Sequence, residues 1–122
     1  EREIRWEEKN TQDCQVLLVA YGTPSRIAMS AIEQLAERGV KAGLFRPITL
    51  WPFPYAALKK AASQASVQAV LTVEMSLGQM VDDVRLAVEG EKPVYFEGRA
   101  GGSIPTLTQI VDAAERALKG GK

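Results

Sequence analysis

The chain has 122 residues, 46 % apolar and 25 % charged, with 15 basic side chains balancing 15 acidic ones. That is one globular domain with no net field to draw nucleic acid or an anionic membrane. One cysteine and no histidine exclude an intrachain disulfide, a zinc finger, a cysteine-ligated iron–sulfur cluster, a histidine-held haem, and Ser-His-Asp or Cys-His catalysis.

Glu3 to Glu8 alternates Ile4 and Trp6 with charges, the pattern of an antiparallel edge strand. Asn10-Thr11-Gln12-Asp13 supplies the turn back. Gln15 to Tyr21 is a continuous apolar run, as in a strand buried on both faces of a parallel sheet. Gly22-Thr23-Pro24 punctuates it; Thr23 is expected to cap a helix whose first position is Pro24. That helix runs to about Arg38, sets Ile27, Ala28, Ala31, Ile32 and Leu35 inward, and stops at Gly39. Lys41 to Phe45 is the next strand, and Arg46 to Pro54 a long turn. A helix over 54–66 packs through Ala57, Leu58, Ala61 and Ala65, and Val67 to Val73 is a third apolar strand. Ser76 to Glu89 reads as a helix with Leu77, Met80, Val81, Val84, Ala87 and Val88 on one stripe, Gly90 after it, and capping-box spacing at Ser76 and Gln79. Pro93 to Glu97 is a strand and Gly98 to Pro105 a glycine-rich loop. The last helix, Thr106 to about Leu118, repeats the capping-box spacing at Thr106 and Gln109 and turns Leu107, Ile110, Val111, Ala114, Ala117 and Leu118 inward. Strands alternating with helices predict βαβ units and a three-layer α/β/α sandwich on a mostly parallel sheet.

Ligands of such sheets bind beyond the carboxyl ends of the strands, where the strand order reverses. With the strands containing Val16 and Val67 as central neighbours, that crevice lies between Tyr21-Gly22-Thr23-Pro24-Ser25 and Glu74-Met75-Ser76. Glu74 ends a strand just before a helix, whose dipole favours the ionised carboxylate. It either accepts backbone N–H bonds or touches a ligand. Gly22-Thr23-Pro24-Ser25 lacks the glycines of a dinucleotide fingerprint. Gly98-Arg99-Ala100-Gly101-Gly102-Ser103 is either an anion nest or a packing loop. Asp82-Asp83 falls mid-helix, with the two side chains about 100° apart, and reads as a solvated face. Cys14 has no basic neighbour in sequence and reads as a packed thiol. The turn from Arg46 to Tyr55 holds Ile48, Leu50, Trp51, Phe53 and Tyr55 among Pro47, Pro52 and Pro54. Loops are normally polar, so these apolar groups either fold over the strand ends or enter a partner surface.

Four ordered segments carry a family resemblance: Leu17 to Thr23, Gly43 to Pro54, Val73 to Arg85 and Gly98 to Thr106. Over nearly its whole length the chain resembles the C-terminal domain of the α subunit of 2-oxoacid:ferredoxin oxidoreductases, within the wider transketolase C-terminal-domain group. The resemblance implies five strands, the first antiparallel, in the order 1-3-2-4-5. It implies an enzyme that oxidatively decarboxylates a 2-oxoacid, joins the acyl group to coenzyme A and passes electrons to ferredoxin. Thiamine diphosphate, magnesium and iron–sulfur clusters are then held by other domains and subunits, and none by this domain. The segment Gly98 to Thr106 leans toward the branched-chain enzyme acting on 2-oxoisovalerate, with the 2-oxoglutarate enzyme next. No catalytic residue carries over. The candidate crevice or interface positions are Gly22, Thr23, Arg46, Trp51, Phe53, Glu74, Ser76, Gln79, Arg99, Gly101 and Gly102.

The expected role is therefore assembly within a hetero-oligomer, and the isolated domain is expected to be inactive. Its partners are the other domains and subunits and, through them, ferredoxin, with no nucleic acid and no membrane. A lone thiol fits the reducing cytoplasm, and no run reaches the ~20 apolar residues of a membrane span. A start at Glu1 instead of Met leads to the expectation of a single domain, 1–122, within a longer subunit. The alternative, resting on Glu74, Arg99 and the glycine loop, is an autonomous small-ligand or nucleotide-binding module.

Overall fold

A computed structural model describes residues 4–48, 53–74, 80–88, 92–98 and 105–120. The elements in chain order are β1 (Trp6–Lys9), β2 (Val16–Ala20), α1 (Thr23–Glu37), β3 (Ala42–Pro47), α2 (Tyr55–Ala62), β4 (Ala69–Glu74), α3 (Val81–Val88), β5 (Val94–Gly98) and α4 (Leu107–Leu118). They form a five-stranded sheet of order β1-β3-β2-β4-β5, in which β1 alone runs antiparallel. The strand order, the antiparallel edge and the helical layers agree with expectation.

Continuous apolar runs become central strands because both faces are covered. Every residue of β2 and β4 is buried. Along β2, Val16, Leu18 and Ala20 enter one core cluster with α1 and α4, while Leu17 and Val19 enter the other with α2 and α3. This alternation makes three layers from one sheet.

Several boundaries depart from the sequence reading. β3 continues through Arg46 and Pro47, expected as turn, because β1 pairs alongside: Glu7 lies opposite Arg46 and Trp6 opposite Pro47. Gly22, not Thr23, holds the N-cap position of α1, with φ 74° and no side-chain capping bond. Gly39 ends α1 at φ 81°, as expected of a left-handed terminator. α2 stops at Ala62, and Ser63 caps it, its N–H and hydroxyl both donating to the Lys59 carbonyl, the hydroxyl at 2.6 Å. Ala65 is then exposed, and Ala62 is buried instead. In α4, Leu107 is 36 % exposed, and Ala113 takes an inward place. The alanines at 28, 31, 113 and 114 share one cluster, small enough for α1 and α4 to approach closely.

The α4 capping box forms as read. Gln109 N donates to Thr106 Oγ1 at 3.2 Å and Thr106 N to Gln109 Oε1 at 2.8 Å. Thr106→Ala is expected to cost about 1 kcal/mol, measured as a urea midpoint shift at unchanged slope; an unshifted midpoint would mean the cap contributes nothing.

Candidate functional site

The two strands expected to flank the candidate crevice are neighbours. β2 and β4 are parallel neighbours, Ala20 beside Val73 at their carboxyl ends, with β3 and β5 on the outer sides. On the β2 side Gly22 takes a left-handed φ that few other residues adopt. Its carbonyl accepts from Ser25 N at 3.0 Å and Ser25 Oγ at 2.6 Å. Ser25 is buried, Thr23 is the first residue of α1, and Tyr21 stands 44 % exposed at the rim.

On the β4 side Glu74 is only 7 % exposed. Its Oε1 accepts from Met80 N at 2.7 Å and its Oε2 from Val81 N at 3.0 Å. Val81 opens α3, so the carboxylate satisfies backbone donors that a helix start leaves without partners. Of the two readings of Glu74, the acceptor of backbone N–H bonds is the one seen. The direction of its shift runs against the expected pull of the helix start toward the ionised form. Burial pushes the carboxyl above the ordinary Glu range and outweighs the two N–H bonds, which pull it down; Asp82 and Asp83 push it further up.

Asp82 and Asp83 stand in the first turn of the described α3, not at mid-helix. Tyr55 OH donates to Asp83 Oδ1 at 2.6 Å, and this bond, with burial and the Asp83 charge, raises the phenol above its usual range. The Tyr55 ring leans on Phe53, centroids 5.0 Å apart. Phe53 is 3 % exposed in the α2–α3 cluster, so this ring of the apolar turn folds inward, while Tyr55 stays 40 % exposed. Arg46 pairs with Glu7 at 2.8 Å. The structure thus brings Gly22, Thr23 and Glu74 to the strand ends and sets Arg46 on the β1 edge. Trp51, Ser76, Gln79, Arg99, Gly101 and Gly102 lie outside the described residues, as does the Ser76–Gln79 cap. Sequence reasoning missed the Tyr55–Asp83 bond, whose partners are 28 residues apart with no local signal joining them.

The family model of the pyruvate:ferredoxin oxidoreductase core domain II matches residues 14–110. The chain belongs to this family. The match runs from Cys14, ahead of β2, into α4, and so contains both strand ends of the candidate crevice. This core domain II is 40 % identical over 111 residues to the ketoisovalerate oxidoreductase subunit VorB of Methanothermobacter marburgensis, which covers 91 % of this chain and 31 % of the relative. The chain therefore spans about a third of the length of the curated relatives it matches. Among solved structures, a split-gene transketolase described as an inactive beta4 tetramer superposes with TM-score 0.78 at 23 % identity, over 94 % of this chain and 41 % of that one. The alpha chain of a probable 2-oxoacid ferredoxin oxidoreductase from Thermoplasma acidophilum superposes with TM-score 0.58 at 22 % identity, over 93 % and 97 %. The fold is that of the transketolase C-terminal domain.

The residues of this core domain II do not fit an iron–sulfur cluster. Its one cysteine, Cys14, is fully buried, and burial pushes the thiol up, away from the thiolate that ligation needs. Among the described residues no three His, Cys, Asp or Glu side chains converge to hold a metal ion. No described helix is long and apolar enough to cross a membrane.

Proposed function

We propose that this core domain II is the assembly module of a 2-oxoacid:ferredoxin oxidoreductase subunit whose substrate is 2-oxoisovalerate. The observation that carries the reading is the 40 % identity to a ketoisovalerate oxidoreductase subunit over 91 % of the chain. The chemistry of the crevice supports it. Glu74 engages both oxygens with backbone N–H groups and Tyr55 is held by Asp83, so these groups hold the scaffold instead of waiting for a substrate.

Residues 1–122 act as one domain beside the rest of the subunit, in the cytoplasm. Thiamine diphosphate with magnesium, the iron–sulfur clusters and the coenzyme A site belong to that remainder and to partner subunits, which hand electrons to ferredoxin. Gly22, Thr23 and Glu74 shape the crevice that meets the remainder. Arg46, with Trp51, Ser76, Gln79, Arg99, Gly101 and Gly102, completes the candidate contact set, and buried Phe53 supports it from beneath.

The isolated chain, given thiamine diphosphate, magnesium, 2-oxoisovalerate, coenzyme A and an electron acceptor, is expected to release no carbon dioxide above a protein-free control. Turnover should appear only with the remaining polypeptides co-expressed. Robust turnover by the chain alone overturns the proposal. So does calorimetric binding of a nucleotide or coenzyme A to the chain alone, which would favour a ligand-binding module.

A further inference from the structure

Two clefts flank β1 on opposite faces of the sheet, and their chemistries differ. On the α1 face, a cleft of about 200 Å³ is lined by Glu7, Lys9, Arg26, Met29 and Arg46, among others. β1, α1 and β3 each contribute one cation to it, and Glu7 is its one acid. Arg46 already holds Glu7, which leaves the charges of Lys9 and Arg26 in excess. α1 adds no acid in its first turn. On the α2 face, a groove of about 530 Å³ runs between β1 and α2; Trp6, Ala57 and Ala61 are its apolar wall, and Glu8, Lys60 and Gln64 also line it. Trp6 is 40 % exposed there although it stacks on Phe45. Glu8, at its edge, is occupied by Trp6 Nε1 at 3.0 Å and Thr11 Oγ1 at 2.8 Å.

Between the clefts, β1 is the last strand of the sheet among the described residues. Ile48 N donates to Arg5 O at 2.9 Å, so antiparallel alternation turns the backbone groups of residues 5, 7 and 9 toward β3 and those of Trp6 and Glu8 outward. An outward row of this kind is a template for one more strand. We propose that this edge receives an extended segment of the surrounding enzyme whose side chains alternate acidic and apolar. The acidic ones enter the cation-lined cleft, and the apolar ones enter the groove beside Trp6.

The two chemistries alternate in step with the pleat. A strand laid along β1 sends alternate side chains to the two faces. One face offers three cations against one carboxylate; the other offers an indole and alanines, with Glu8 and Lys60 balancing each other in charge. A second copy of this chain fits poorly. Antiparallel self-pairing centred on β1 sets Glu7 against Glu7, or Glu8 against Glu8, and like charges directly opposite repel. The proposal rests on the assembly reading only for the source of the segment; the edge's preference is measured on this chain alone.

The probes are three capped heptapeptides, Val-Glu-Val-Glu-Val-Glu-Val, its lysine counterpart and a Ser-Glu alternation. They are followed by the indole resonance of Trp6 and by amide exchange at Trp6 and Glu8. The Val-Glu peptide is expected to bind about tenfold tighter than the lysine peptide, to outbind the Ser-Glu peptide, and to slow exchange of both amides. Lys9→Glu combined with Arg26→Glu, two exposed positions checked by circular dichroism, should invert the charge preference. Equal binding of the first two peptides, no binding of either, or binding that leaves the Trp6 and Glu8 amides unprotected overturns the proposal. Glutarate binding as tightly as the Val-Glu peptide would reduce the cleft to a free-anion site and overturns it too, as does a dimer that dissociates on Trp6→Ala. None of these results alters the turnover test of the assembly reading, and turnover leaves the peptide preference unaffected.

Discussion

Glu74→Ala is expected to lower stability by about 2–5 kcal/mol, because it orphans two buried donors at once, each worth about 1–3 kcal/mol. Met80 N and Val81 N lose their acceptors at 2.7 and 3.0 Å, and α3 loses the group that joins its start to the end of β4. Glu74→Gln keeps the shape but offers one oxygen and a donor where two acceptors are needed, so it should fall between wild type and alanine. Urea unfolding with both variants measures this, and wild-type midpoints in both would remove Glu74 from the scaffold.

The same carboxyl predicts an unusual pH dependence. Burial raises Glu74 above its ordinary value of 4.5 in the folded state, so the folded chain holds this proton more tightly than the unfolded chain. Stability from this group is then greatest below the unfolded value and is lost as pH rises through the raised folded value. A carboxylate stabilised mainly by hydrogen bonds behaves the opposite way. The stability difference between wild type and Glu74→Gln should narrow as pH rises between about 4 and 7. A difference that widens over that range would mean that the N–H bonds, not burial, dominate at Glu74.

Gly43→Ala is the second large effect, expected to cost about 1–3 kcal/mol through overpacking. A Cβ at Gly43 would lie 2.8 Å from Asn10 O and 2.8 Å from Thr11 Cα. Both are backbone atoms, so no side-chain rotation relieves the clash. The β1–β2 turn would have to move, and it is already constrained. Asn10 and Asp13 hold left-handed φ of 55° and 62°. Gln64, two residues past the end of α2, pins the turn, accepting from Asp13 N at 2.9 Å and donating to Thr11 O at 2.8 Å. Thermal unfolding checks it; an unchanged midpoint would show that the turn yields freely.

Features carried by near neighbours along the chain were legible in the amino-acid order. An uninterrupted apolar run such as Val16–Ala20 suits a strand covered on both faces, and the alternation around Ile4 and Trp6 suits an edge; both form as read. Thr106 and Gln109 cap α4 because the two partners of that box are three residues apart. The succession of these local units was enough to make the strands that end near Gly22 and Glu74 neighbours.

Features that depend on partners from distant sequence emerged only once the chain was folded. Glu74 reads as an ionised helix-start acid until the start of α3 folds over it, and desolvation then outweighs the N–H bonds it accepts. Arg46 reads as turn until β1 pairs beside it and Glu7 meets its guanidinium. Gly43 looks like any strand residue until the turn at Asn10 and Thr11 crosses it within 2.8 Å. Burial, register and close approach are properties of surfaces meeting in space, and the chain's own periodicity encodes only the surfaces.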